Sequence, residues 1–149
     1  MNKIIKTTSD KILDQIIKYT VLFLTGGVIY FFIEFTARGY SHISMFILGG
    51  ICFIALGLLN EILSWDTPLL QQMLYGAIII TVLEFITGCI VNLWLGLNVW
   101  NYSDERYNFM GQICLKYSVY WFFLSGIGII LDDFIRYLWF DEEKPRYIL

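Results

Sequence analysis

Between Thr67 and Ser103 the chain carries a single charge, Glu84, inside a long apolar run. A carboxylate at the centre of a membrane helix costs ~2.5–3.5 kcal/mol on insertion scales, so it requires a partner or a watery cavity. Glu84 is therefore the first candidate for ligand binding or coupling. At a rise of ~1.5 Å per residue it lies roughly 20 Å along its helix, just past mid-membrane. Glu34 and Arg38 stand four residues apart, close enough to pair on one helix face. With Glu84, Asn92, Asn98, Asn101 and Arg106 they are expected to converge on a polar, outward-facing pocket. The segment Trp94–Tyr107, with Trp100 and Tyr102, would form an aromatic lid over it. Two structural readings stand beside the functional one. Glu84 could be a protonated residue bonding a neighbouring helix, since burial disfavours a carboxyl's charged form, or it could pair with Arg38 for assembly. Glu61 and Asp132 form a second candidate cluster at the opposite, cytoplasmic ends of the helices, where Arg136 is the nearest partner for Asp132.

Apart from a carboxylate-based intramembrane enzyme, the weakest alternative, other chemistries have no motif to carry them. The sequence holds no G-x-x-x-x-G-K-[ST] phosphate loop, and His42 is its only histidine, which excludes HExxH and His-rich metal sites. It contains no GxSxG, and no Ser/His/Asp set assembles around one interfacial histidine. The expectation is a protein that is not an enzyme and that uses no cofactor or metal. Cys52, Cys89 and Cys114 lie in or beside apolar runs without a CxxC pair, as small buried hydrophobes do. A net charge of −3 with no basic block leaves nucleic acid without a docking surface.

The elements that would position Glu84 follow from composition. The chain has 149 residues, 58% hydrophobic, 18% aromatic and 15% charged. Soluble domains run near 45–50% apolar and about 25% charged, so lipid is the expected solvent. The predicted fold is an all-α integral membrane four-helix bundle forming a single transmembrane domain over 1–149. Its spans are placed at about 17–37, 43–64, 69–93 and 113–135. A short amphipathic helix at 8–18, capped by Thr8 or Ser9, is expected to present Ile12, Leu13, Ile16 and Ile17 on one face. Lys3, Lys6, Lys11 and Lys18 would meet anionic headgroups. Lysines apart, this N-terminus lacks a cleavable leader's small-residue site and is read as mature chain. Trp65-Asp66-Thr67-Pro68 reads as a tight turn, with Asp66 or Thr67 as N-cap and Pro68 first in the helix. The segment 94–112 is too polar to span and is placed at the outer interface, and 136–149 is a cytoplasmic tail whose end, 141–149, is expected to fray. Lys and Arg number seven on the side of the two termini and three on the other, which puts both termini in the cytoplasm.

Each predicted helix has one face suited to protein rather than lipid. On the third, Ala77, Thr81, Glu84, Gly88 and Asn92 recur at helical spacing, and on the fourth Ser118, Trp121, Ser125, Gly128 and Asp132 do so. Gly50, Gly57 and Glu61 align on the second, and Tyr30, Glu34 and Arg38 on the first. Small residues on such faces let membrane helices approach closely. None of the twelve glycines lies four residues from another, so the GxxxG dimer motif is absent.

The segments SMFILGGICFIALGLLNE (44–61), QMLYGAIIITVLEFITGCIVNLWLGLNVWNYS (72–103) and GQICLKYSVYWFFLSG (111–126) resemble the Putative ABC-transporter type IV family, over roughly residues 20–140. LEFITG, LGLNVWNYS and GQICL are the most specific parts. Glu84 is the acid of LEFITG, and Trp100, Asn101, Tyr102 and Ser103 match the aromatic-Asp/Asn-Tyr-Ser part, with Asn101 where related sequences have Asp. The resemblance implies a multi-pass protein of a bacterial plasma membrane, of the Gram-positive type. The chain is shorter than a typical complete permease of the ABC class. A transport-related subunit is therefore expected to take energy from a separate ATPase or an ion gradient, and to act as a homo-oligomer or with a membrane partner. The alternative is a binding or assembly module that recognises a lipid, an envelope precursor or another membrane protein through Trp94–Tyr107.

Overall fold

The computed structural model describes residues 8–64 and 66–148. Lys3, Lys6 and Trp65, which enter the readings above, lie outside these residues. Four helices dominate: α1 (Thr8–Arg38), α2 (Ile43–Ile62), α3 (Leu69–Gly88) and α4 (Leu115–Phe140). All four are long and apolar enough to cross a membrane, α3 counted together with a wider π-helical turn, Cys89–Trp94, that prolongs it. Two residue pairs, β1 (Asn108–Phe109) and β2 (Ile113–Cys114), form a small antiparallel hairpin between α3 and α4.

The helix ends follow local chemistry. Gly39 takes a left-handed φ of +77° and its N–H returns to Phe35 O at 2.8 Å, closing α1 as glycine does after a helix. His42 caps α2 by accepting the Ser44 N–H at Nδ1, 3.2 Å away. Pro68 precedes α3 rather than opening it. Neither Asp66 nor Thr67 supplies a side-chain cap, because the Pro68 carbonyl itself accepts from Gln71 N and Gln72 N. The Gln72 amide then takes the Thr67 carbonyl at 3.0 Å.

Packing makes two antiparallel pairs, α1 on α2 and α3 on α4, with α2 also touching α3 and α4. Glycines set the close approach of the first pair: a Cβ on Gly26 would lie 2.7 Å from Gly49 O, and one on Gly50 would lie 2.7 Å from Phe23 O. α1 and α4 meet only sparsely, so a cleft remains between them. Leu48, Leu56, Ile80, Trp121 and Ile129 belong to the main core, while Ile47, Ile78, Val82, Phe123 and Ile127 face outward, as a membrane-embedded surface requires.

Two segments differ from the sequence reading, the N-terminal one and the tail, and a third gains its detailed shape. The 8–18 segment is not a separate amphipathic helix. It continues α1 without a break, since no Gly or Pro interrupts Thr8–Thr25, and Ile12, Leu13, Ile16 and Ile17 are all exposed. The 94–112 segment, whose shape the sequence left open, contains left-handed residues at Gly96, Asn98, Tyr107, Met110 and Gly111, so it turns repeatedly. The tail does not fray. α4 runs on to Phe140, and beyond it Ile148 O accepts the Leu69 N–H at 2.6 Å, which docks the tail on the start of α3.

Candidate functional site

α3 carries Glu84 inward on the face that also buries Ala77, Gly88 and Asn92, with Thr81 half-buried beside them. Glu84 is 1% exposed. Both of its oxygens are engaged: Tyr102 OH donates to Oε1 at 3.0 Å and Trp121 Nε1 donates to Oε2 at 2.8 Å. The donors arrive from different elements, the inter-helix segment and α4. Tyr102 is held by stacking on Tyr117, centroids 4.5 Å apart. Burial, and then the neighbouring Glu84 carboxylate, push the Tyr102 phenol well above its ordinary range, so it remains a donor. Two neutral dipoles thus meet a buried acid where a membrane protein has no water to offer.

A second network ties the inter-helix segment down. Asn92, in the π-helical turn, donates to Gln112 Oε1 at 2.8 Å and accepts the Val99 N–H at 2.6 Å. Trp100 is buried and donates to Gln112 O at 2.9 Å. Arg38 pairs with Glu34, as their spacing predicts, and reaches Val99 O at 2.9 Å, while Ser41 donates to the other Glu34 oxygen. The loop is therefore clamped from α1, α3 and its own hairpin.

Not all of the sequence candidates converge. Glu84 and Tyr102 meet, and Asn92 and Trp100 join through Gln112. Glu34 and Arg38 meet this assembly at its rim. Asn101 is exposed and accepts from Ser103 N and Oγ in a local turn, Asn98 is exposed, and Arg106 lies on the surface. The expected polar pocket is not what surrounds Glu84. The cavity at its side measures about 120 Å³ and is walled chiefly by aliphatic residues of all four helices, with Glu84, Tyr30 and Trp121 at one end. Glu34, Arg38, Asn92, Asn101 and Arg106 do not line it. Gln112 and the donor role of Trp121 were not read from sequence. A glutamine just after a Met-Gly turn and an indole on the Ser118–Asp132 face were the signals present.

At the other end of the bundle, Asp132 is fully buried and pairs with Arg136 on the next turn. Arg136 also reaches Glu61 at 2.6 Å and Glu142 at 3.8 Å. Lys18 meets Glu142 at 2.8 Å. Asp133 accepts from Asn60 and from Tyr147 OH, both at 2.7 Å. Glu61 itself keeps 45% of its side chain exposed. A cavity of about 350 Å³ lies among Asn60, Glu61, Asp133, Arg136 and Glu142. Cys52, Cys89 and Cys114 are free thiols.

A family model described as Putative ABC-transporter type IV matches residues 21–141, which takes in Glu84, the Asn92–Gln112 network and, of the tail-end cluster, Glu61, Asp132, Asp133 and Arg136. No curated protein and no solved structure matches the chain.

Proposed function

Because the chain belongs to the Putative ABC-transporter type IV family, we propose that this multi-pass membrane protein is a transport-related subunit centred on Glu84. The observation that carries the reading is a fully buried carboxylate at the wall of a cavity between membrane-spanning helices. Intramembrane acids of this kind mark substrate and ion paths. In this reading the protein lies in a bacterial plasma membrane with both termini in the cytoplasm, so the hairpin end faces outward. The tail-end cluster of Glu61, Asp132 and Arg136 then faces the cytoplasm, where a separate ATPase would dock. The chain lacks a phosphate-binding loop of its own, so an ATPase partner or an ion gradient supplies the energy.

The test is Glu84→Gln in the protein isolated with its partners from native membranes. The expected result is unchanged assembly with altered ATP hydrolysis by the co-purified ATPase, or altered ion flux in proteoliposomes. If the variant leaves assembly, hydrolysis and flux all unchanged, Glu84 is not the functional centre.

A second reading, a binding or assembly module, is favoured by one observation. Trp94 and Tyr107 are 80% and 81% exposed on the inter-helix segment, and Phe109 beside them is also exposed. A lipid, envelope precursor or membrane partner would meet these residues, not the buried Trp100. Native mass spectrometry of the wild type and of Trp94→Ala/Tyr107→Ala tests it, since only surface recognition loses its bound species in the double variant.

A further inference from the structure

The cavity beside Glu84 has a direction. Its inner end is formed by Glu84, Tyr30 and Trp121, and the Tyr30 and Trp121 rings lie 5.7 Å apart between centroids. From there it runs along the bundle toward Leu56, Gly128 and Leu131, which are apolar. Its mouth is lined by Ile29 and Ile33 of α1 and Ile127 of α4, all exposed on the outside of the bundle. These two helices barely touch, so the opening is sideways, into the hydrocarbon, rather than at either end. Counting ~1.5 Å per residue from Arg38 at the end of α1, Trp94 at the end of the π-helical turn and Leu115 at the start of α4, the polar end lies roughly 9–15 Å down. That is within the hydrocarbon but nearer the hairpin-side surface.

The polar end is incomplete. The Tyr30 side chain makes no hydrogen bond among the described residues, although it lines the same end of the cavity as Glu84. Each Glu84 oxygen has accepted one donor and has capacity for another. A hydroxyl donor without a partner and an acceptor lining the same end of one cavity, with an apolar trough leading away, are complementary to one kind of molecule. The Glu84 carboxylate disfavours an anionic head, and the small cavity disfavours a large one.

We infer that the cavity binds a single-chain neutral amphiphile, a long-chain alcohol or a hydroxyl-bearing monoacyl lipid, taken laterally from the bilayer between α1 and α4. Its hydroxyl oxygen accepts a hydrogen bond from Tyr30 OH and its O–H donates one to Glu84; its first carbons fill the cavity of about 120 Å³, and the rest of the chain leaves through the mouth between α1 and α4 into the bilayer. The inference rests on the reading of Glu84 as the functional centre and names the ligand class of that site.

The probe is a long-chain alcohol brominated on its first carbons, added to the protein in phosphatidylcholine vesicles, with Trp121 emission as the readout and Trp121→Phe as the blank. Bromine quenches an indole on contact. The expected result is saturable quenching by the alcohol, and weaker binding of the matched fatty acid and the matched alkane. Tyr30→Phe keeps the cavity and is expected to weaken alcohol binding about three- to tenfold, the worth of one hydrogen bond. Leu124→Phe fills the trough and is expected to abolish saturation. Quenching that is non-saturable, or equal for alcohol and alkane, or indifferent to Leu124→Phe, overturns the site, because it reports lipid partitioning alone. Fatty acid binding as tight as alcohol binding overturns the neutral head. Lost alcohol binding with the Glu84→Gln phenotype intact removes the ligand class and leaves the transport reading standing. Saturable binding with Glu84→Gln silent in flux and hydrolysis does the reverse.

Discussion

The groups around Glu84 and those around Arg136, at opposite ends of this bundle, are satisfied by opposite means, although an ion pair, Glu34–Arg38, stands at the rim of the first. At the hairpin end, one acid, Glu84, is met by two neutral aromatic donors, and Asn92 and Gln112 are met by each other and by backbone. At the tail end, Arg136 is surrounded by Asp132, Glu61 and Glu142, with Lys18 joining from α1. There Asp132 Oδ1 and Arg136 Nη2 are buried and have no partner among the described residues. Around Glu84 the partners are a fixed set of dipoles, with the Tyr102 ring held by its stack on Tyr117. The tail end is a set of charges whose mutual attraction tolerates imperfect geometry. Dipoles held in place suit a site that must present one acid in one position, and charges suit a clamp that gathers helix ends.

The comparison is most easily broken at Arg136. Arg136→Met would leave Asp132 wholly buried without its counter-charge, while Glu61 and Glu142 would turn toward water. Breaking one side of a buried pair costs about 3–5 kcal/mol. The expected outcome is the largest loss of thermal stability of any substitution proposed for this chain, measured in nanodiscs, and partial recovery in Arg136→Met/Asp132→Asn. If the single variant is neutral, the tail end is not a clamp.

At the hairpin end the effect should be smaller, because each interaction is one hydrogen bond. Trp121→Phe leaves Glu84 Oε2 without a donor and should cost about 1–3 kcal/mol. Tyr102→Phe keeps the stack on Tyr117 and should cost about 1 kcal/mol. A double-mutant cycle decides whether the two donors act together. Coupling beyond about 0.5 kcal/mol marks a single preorganised site, and strict additivity denies it.

The sequence made one part of this legible and hid another, for physical reasons. Helical period placed Glu84, Gly88 and Asn92 on one buried face of α3, and spacing of four paired Glu34 with Arg38 and Asp132 with Arg136. Lipid makes such faces easy to read, since a polar residue in a span must point inward. The partners of Glu84 were not legible, because Tyr102 and Trp121 arrive from 18 and 37 residues away through a segment with no period. Tyr107 and Met110 adopt left-handed backbone there, which nothing local demands of a tyrosine or a methionine. The tail was misread for a related reason. Tyr147 and Ile148 look like a frayed end until Asp133 and the α3 start are in place to receive them.

The smallest expected effect is the sharpest discriminator between the two ends. Lys18 is mostly buried, yet its partner Glu142 keeps about a third of its side chain exposed, and Glu61 is farther, at 3.9 Å. A pair so open to solvent is worth up to about 1 kcal/mol and is screened by salt, with a Debye length near 10 Å at 0.1 M. Lys18→Gln should therefore lower stability slightly at low ionic strength and hardly at all at high ionic strength. Trp121→Phe should show the same loss at both, because neither indole nor a buried, hydrogen-bonded carboxylate is reached by salt. Equal salt dependence for the two variants would mean that both ends are held by charge, and the distinction between dipole site and charge clamp would fall.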